Sequence, residues 1–362
     1  MNDDFECFAG QKDLVRPEDK KKERMRIVLE NIRELVQVEN YSVRFKGGAA
    51  MSSVRVISDA YLIIQDGLIE GLGLMKDLEK EKLDNDVMME LDCTGRLVFP
   101  SYCDARSSFI SPSGLERAFT SRTRSLSCDL VSWRSEGIQY LAQQLERCDE
   151  DELYELAEIR LHEMISTGTG AIGIKSGYGF TTESELKILR VIRRLREAYP
   201  VIIRSTFLGA HSISAHHAAG DRKKFMDVLV RETIPQICEE GLDDCIDVFC
   251  DHGFFSIPET EGILTAAMKY ELKPKFRSHG RESSVILSPG YISFHMSPEE
   301  TINAMTLNSA YSMGIEGICG SICKGKVANV FVTAPLPGYA SIPYFSGARL
   351  VDTVILDGKF VS

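Results

Sequence analysis

Four things are scarce in this sequence: positive charge, long apolar runs, paired cysteines and internal repeats. Lysine and arginine number 42 against 53 aspartates and glutamates, a net charge of −11. That balance excludes an extended nucleic-acid surface, which needs clustered Lys and Arg to neutralise phosphates. The one basic run, Lys20-Lys21-Lys22 with Arg24 and Arg26, is interleaved with Glu18, Asp19 and Glu23 and reads as a solvated segment. No stretch reaches the roughly 18 apolar residues of a membrane helix, so no membrane partner is expected. Ten cysteines are scattered through the chain without a Cys-x-x-Cys pair, and Met1 to Gly10 is acidic with no apolar run. Reduced thiols and a cytoplasmic location are the expectation.

What is present is enough apolar material for a sizeable core, 44% of 362 residues. Residues 1–25 are polar and read as a loose arm. Strand-like runs follow at Arg26–Val38 and at Ala60–Gly67, the latter entering an Asp66-Gly67 turn. Leu91–Pro100 reads as a further hairpin. From Val98 onward, strands alternate with helices. Helical spacing marks Glu150–Thr167, stopping at Gly168, then Glu183–Arg196, Asp221–Glu240 with a break near Pro235, and Glu259–Leu272. Between them lie the apolar runs Ala171–Ile174, Pro200–Leu208, Cys245–Cys250 and Lys273–Phe276. This order predicts a parallel sheet with helical crossovers. Pro298–Met313 reads as a helix with Ser297 at its N-cap and Glu299-Glu300 in its first turn. Short strands return at Gly325–Val332 and Asp352–Gly358. The division expected is an arm over 1–25, a composite β-sandwich from 26–97 and 315–362, and a barrel-like domain over 98–314.

Four middle segments stand in one order: Lys175-Ser176-Gly177-Tyr178-Gly179, Glu185-Leu186-Lys187-Ile188-Leu189-Arg190-Val191, Thr206-Phe207-Leu208-Gly209-Ala210-His211 and Asp247-Val248-Phe249-Cys250-Asp251. Three more flank them: Leu62-Ile63-Ile64-Gln65-Asp66-Gly67-Leu68-Ile69, Ser297-Pro298-Glu299-Glu300-Thr301-Ile302-Asn303-Ala304 and Gly320-Ser321-Ile322-Cys323-Lys324-Gly325-Lys326. Together these resemble the imidazolonepropionases of the amidohydrolase superfamily, collinearly from about residue 26 to the end. The resemblance implies an α/β fold, a TIM-type (β/α) barrel with a β-sandwich from both chain ends. It implies hydrolysis of the cyclic amide of 4-imidazolone-5-propanoate to N-formimino-L-glutamate, in histidine degradation. It also implies a zinc or iron ion, since a metal-bound water reaches a pKa near ~7 and supplies hydroxide at neutral pH.

The same resemblance shows what has been replaced. The family's Pro-Gly-x-x-Asp-x-His-Thr-His stretch corresponds to Pro100-Ser101-Tyr102-Cys103-Asp104-Ala105-Arg106-Ser107-Ser108, so Arg106 and Ser108 hold the two histidine positions. Arginine stays charged and offers no lone pair, and a serine hydroxyl is a poor substitute for imidazole. After Lys273-Pro274-Lys275-Phe276, the third histidine position is Arg277; a two-residue change of register would bring His279 there instead. The acid/base position falls at Gly280, near Glu282. Ser288-Pro289-Gly290 is read as a remnant of the last motif, with Ile286 at its aspartate. Val98–Gly314 is short against the ~250 residues typical of a complete barrel, so the barrel is expected to be incomplete. The cofactor expected in this chain is therefore none.

Three positions keep family substrate contacts: Tyr178, His211 and Gly290. The carboxylate-binding arginine falls at Leu115 and a loop tyrosine at Cys128. Lys175 reads as the polar end of its strand, and Cys245 and Cys250 as core. His216-His217 is either a casual metal pair or, as loop pairs usually are, solvated. Arg106 and Arg277 are either an anion site or two separate solvated or salt-bridged arginines. The reading is an imidazolonepropionase-like hydrolase by descent, or alternatively an inactive homologue that binds a small anion or a protein partner. The partners expected are a small molecule and further copies of the chain.

Overall fold

The computed structural model describes residues 26–78, 88–112, 142–177, 179, 181–210, 222–243, 245–250, 255–277, 296–345 and 348–361. Their strands form two sheets. The first takes strands from both ends of the chain: β1 (Arg26–Val36), β2 (Val56–Gln65), β3 (Leu68–Leu74), β4 (Met88–Asp92), β5 (Leu97–Pro100), β11 (Val330–Thr333), β12 (Val351–Leu356) and β13 (Lys359–Phe360). The order is β13-β12-β11-β5-β1-β2-β3, with β4 also on β1. The second is parallel, in chain order: β6 (Tyr102–Ser107), β7 (Thr169–Lys175), β8 (Ile202–Ala210), β9 (Cys245–Phe249) and β10 (Lys273–Arg277).

Period-two alternation gives the first sheet two buried faces. Val98, Val330, Val332 and Ile355 turn to one core, with Leu29, Leu62 and Ile64. Their neighbours Leu97, Phe99, Phe331, Val354 and Leu356 turn to the main core. There Phe99 stacks on Phe331 with centroids 5.2 Å apart, and Tyr102, the first residue of β6, lies 4.8 Å from the same ring. Such aromatic pairs add about 0.5–1.5 kcal/mol each beyond area burial. Ser101 alone separates β5 from β6, so the chain passes from one sheet to the other at this aromatic cluster.

The Asp66-Gly67 turn joins β2 to β3 with φ of 51° and 85°, the left-handed pair that suits the twist of a two-residue hairpin. Its backbone is tied to the far end of the chain: Gly67 O accepts the Ala328 N–H at 2.8 Å, and the Ile69 N–H donates to Lys326 O at 2.8 Å. The expected hairpin over Leu91–Pro100 is not formed. Both β4 and β5 lie parallel to β1, one after the other along the same edge, Glu30 opposite Asp92 and Glu34 opposite Leu97. The Thr94-Gly95 segment between them is a kink in an interrupted strand rather than a reversal. Thr94 N–H and Oγ1 both donate to Asp92 Oδ1, at 3.1 and 2.7 Å, holding the kink locally.

Helices cover one face of the parallel sheet: α1 (Glu150–Ser166), α2 (Thr182–Ala198), α3 (Arg222–Val228), α4 (Ile234–Glu239) and α5 (Ile257–Met268). Asp149 caps α1 by accepting the Glu152 N–H at 2.7 Å, and Thr181 caps α2 through Ser184 N–H at 3.2 Å. Leu153, Leu161, Leu186, Leu189, Ile192 and Ile263 meet Ile172, Ile174, Ile203, Phe207, Ile246 and Val248 of the strands in one core. The break near Pro235 is a π-helical turn, Leu229–Thr233, in which the Ile234 N–H reaches back to Leu229 O. Widening the helix just before Pro235 accommodates a ring and a missing donor that a regular helix would not. A second π turn, Ala304–Asn308, interrupts the Pro298–Met313 helix between α6 (Pro298–Asn303) and α7 (Ser309–Ser312). The Ser297 cap is a full capping box: Glu300 N–H donates to Ser297 Oγ at 3.2 Å, and Ser297 N–H to Glu300 Oε2 at 2.9 Å.

Only residues 278–297 separate β10 from α6. A parallel crossover needs a dozen residues or more besides its strand, so this stretch is too short for three further βα units. Among the described residues the parallel sheet has five strands, alternating along the chain with helices.

Candidate functional site

In a (β/α) unit the loops after the strands carry function. The strand ends here are Ser107, Lys175, Ala210, Phe249 and Arg277. At the end of β6, Asp104 stands opposite Ile172 but Ser107 opposite Ile174, so β6 bulges by one residue at Ala105–Arg106. Room for the bulge comes from Gly173, where a Cβ would sit 2.5 Å from Ala105 O. Asp104 Oδ1 accepts the Arg106 N–H at 2.9 Å. Burial raises the Asp104 pKa against the pull of that N–H. Arg106 and Ser108 are both half-buried.

Lys175 is not a polar strand end. It is buried, and its Nζ bonds Asp247 Oδ2 at 2.9 Å, with side chains 5% and 0% exposed. Ile172 and Ile174 pack on the helices, so Lys175 turns to the opposite face, as does Asp247 between Ile246 and Val248. Further along that face Ala171 and Cys103 meet Ala310, Met313 and Cys319. A cation and an anion reaching across β8 thus tie β7 to β9 beneath the loops. Cys245 and Cys250, read as core, are half-buried, while Ile246, Asp247 and Val248 between them are fully buried.

Beyond Lys175 the chain turns through Ser176, Gly177 and Gly179 into α2. Glu185 in the first turns of α2 is buried, and its Oε1 accepts the Gly179 N–H at 2.8 Å. Burial pushes its pKa up to about 7, although the Ser176 hydroxyl and the N–H groups of Gly179 and Gly177 favour the charged form. Ser176 Oγ accepts the Leu208 N–H of β8 at 3.0 Å. Sequence reading passed over Glu185. Its signal was its place in a family segment, as a carboxylate among the apolar positions of an amphipathic helix.

Tyr178, His211 and Gly290 lie outside the described residues, as do Leu115, Cys128, His216, His217, His279, Gly280, Glu282 and Ile286. The structure brackets two of them. Tyr178 falls between Gly177 and Gly179, and His211 follows Ala210 at the end of β8. Arg277 ends β10, opposite Phe249. Among the described residues no three His, Cys, Asp or Glu side chains gather as a metal site. No helix among them is long and apolar enough to cross a membrane. The eight described cysteines are free thiols.

Comparison with known proteins fits this geometry. The model of the amidohydrolase family matches residues 236–361. An imidazolonepropionase of Flavobacterium johnsoniae is 32% identical, the alignment covering 92% of this chain and 99% of that one. The chain belongs to the imidazolonepropionase family. A second imidazolonepropionase, from Christiangramia forsetii, is 31% identical over 93% of this chain and 100% of its own. Alignment with the Flavobacterium protein runs over 413 positions, more than the 362 residues present here, so part of that protein has no counterpart in this chain. Among solved structures, an amidohydrolase from a Sargasso Sea environmental sample shares the fold with a TM-score of 0.58, at 13% identity and 93% coverage of each chain. A Xaa-Pro dipeptidase does so with a TM-score of 0.57, at 11% identity, over 93% of this chain and 100% of that one. The bulged end of β6 carries Arg106, whose guanidinium has no lone pair to offer a metal.

Proposed function

We propose that this chain is an imidazolonepropionase by descent that no longer hydrolyses the ring amide and instead binds a small carboxylate or comparable anion at the strand ends. The observation that carries the reading is the end of β6. There Arg106 and Ser108, both half-buried, stand at the positions that the resemblance assigns to two histidines. A guanidinium repels a divalent cation and suits carboxylates, to which it can donate two parallel N–H bonds. The family substrate carries a propanoate, so loss of the metal leaves an anion-recognition task for which arginine is chemically suited. The proposed setting is the cytoplasm. The proposed partners are a small molecule and further copies of the chain, with nucleic acid and membrane disfavoured by the net charge of −11.

Metal content of the purified, dialysed protein is the first measurement. The expected result is far less than one zinc or iron per chain and no chelator-sensitive turnover of imidazolone propionate. Near-stoichiometric metal with chelator-sensitive turnover would overturn the reading. Thermal unfolding with added imidazolone propionate or simple dicarboxylates is the second measurement. A stabilisation that grows with ligand concentration and is lost in Arg106→Ala is expected, because a ligand that binds only the folded state raises stability by mass action.

A further inference from the structure

The turn from β7 to α2 is fitted closely to its surroundings. Gly177, at φ 114°, lies so near β8 that a Cβ there would stand 2.7 Å from Leu208 Cβ. Gly179 lies against the start of α2, where a Cβ would meet the Glu185 backbone nitrogen at 2.7 Å. Polar contacts then tie three elements together. The Leu208 N–H donates to Ser176 Oγ at 3.0 Å, and the Gly179 N–H donates to Glu185 Oε1 at 2.8 Å. Glu185 is 3% exposed, and its Oε2 has no hydrogen-bond partner among the described residues. An ionised carboxylate there is a buried charge with one oxygen left bare, which is costly. A neutral acid fits better: Oε1 stays the acceptor for Gly179, and the proton sits on Oε2.

We propose that Glu185 is a proton-operated latch, holding Ser176, Gly177 and Gly179 against α2 and β8 when neutral and loosening them when ionised. Its reach covers both bracketed family contacts. In the sequence Tyr178 lies between Gly177 and Gly179, and Leu208 stands three residues before His211. The latch is independent of whether the chain hydrolyses anything.

Charged groups on the packed elements are engaged elsewhere. On the strands Lys175 pairs with Asp247. Along α2, Glu183 pairs with Arg190, which also holds Glu240, and Arg194 pairs with Glu150 and Asp151 of α1. Arg231 of the π turn pairs with Asp227. The groups that act on the Glu185 carboxyl among the described residues are the Ser176 hydroxyl and the Gly177 and Gly179 N–H groups, and burial outweighs them, placing the midpoint at about 7. The sign follows. An acid raised from 4.5 to about 7 in the closed state favours closure at low pH. Opening therefore grows as pH rises from 4.5 and levels off above about 7.

Amide hydrogen exchange on the full chain, read by mass spectrometry in peptides spanning residues 171–181 and corrected for the intrinsic pH dependence of exchange, tests this. Between pH 5.5 and 8.5 the corrected opening of the wild-type turn should rise by a factor of about 30. In Glu185→Gln, whose amide oxygen can still accept the Gly179 N–H, the corrected profile should be flat. A flat wild-type profile overturns the proposal, and so does the same rise in Glu185→Gln. Should that variant fail to fold, carbon-13 NMR of the wild type labelled at glutamate side-chain carboxyls decides. A carboxyl titrating near pH 7 supports the latch, and a wild type in which no glutamate titrates above the ordinary value of 4.5 refutes it.

Discussion

Reaching across β8, Lys175 and Asp247 place opposite charges where almost no water reaches them. Removing two ions from water is expensive, and their attraction roughly offsets it; removing only one leaves the other uncompensated, at about 3–5 kcal/mol. Asp247→Asn and Lys175→Met should each lower stability by that order in denaturant titrations. The double variant should recover much of the loss, because it leaves no bare charge. If the single variants lose less than about 1 kcal/mol, water reaches the pair and the strands are not tied by it. Neither this pair nor Glu185 was legible as a pair or a latch in the sequence. Lys175 and Asp247 are 72 positions apart, and only a sheet in which β7, β8 and β9 are neighbours brings them together. Arg106 could be singled out from the sequence, because its reading depends on the neighbouring residues of one motif and not on a distant partner.

Among the elements, α5 shows how one carboxylate serves two structures. Glu259 closes a capping box with Ser256, accepting its N–H at 2.8 Å and its hydroxyl at 2.6 Å. The same carboxylate receives Arg222 of α3 in two bonds, at 2.5 and 2.7 Å. Hydrogen bonding to Arg222 pulls the Glu259 pKa down to about 2. A depressed carboxylate contributes stability above its unfolded value of 4.5 and loses it as pH falls towards about 2. Both partners are partly exposed, so the bridge itself is screened and the cap dominates. Glu259→Ala should cost about 1 kcal/mol near pH 7, and the difference from wild type should shrink in melts taken at progressively lower pH. An undiminished difference at pH 2 would mean that the lost interaction is not ionic. Elements of strong period were legible in the sequence: α1, α2 and the capped Pro298 helix follow from apolar spacing and cap residues. The hairpin expected at Leu91–Pro100 was not, because two strand runs around a Thr-Gly pair look the same whether the chain reverses or merely kinks. Only the register against β1 distinguishes them.

For the whole molecule, the deciding feature is that the two chain ends complete one sheet while five βα strands are interposed. β12 places Val354 and Leu356 in the main core and Ile355 in the smaller one. A chain ending at residue 345 should therefore bind a hydrophobic dye and melt without a sharp transition, although every parallel strand remains. A cooperative melt with no dye binding would show that the parallel sheet is self-sufficient. The parallel order itself followed from the alternation of strand and helix patterns.

The bonds between the Asp66-Gly67 turn and residues 326–328 also set a schedule. Synthesis adds roughly 5–20 residues per second, so β1 to β3 wait for on the order of a quarter to a full minute before their partners exist. During that interval Leu62, Ile64 and Val98 have no β11 or β12 to cover them. The first strands made are among the last to be sealed.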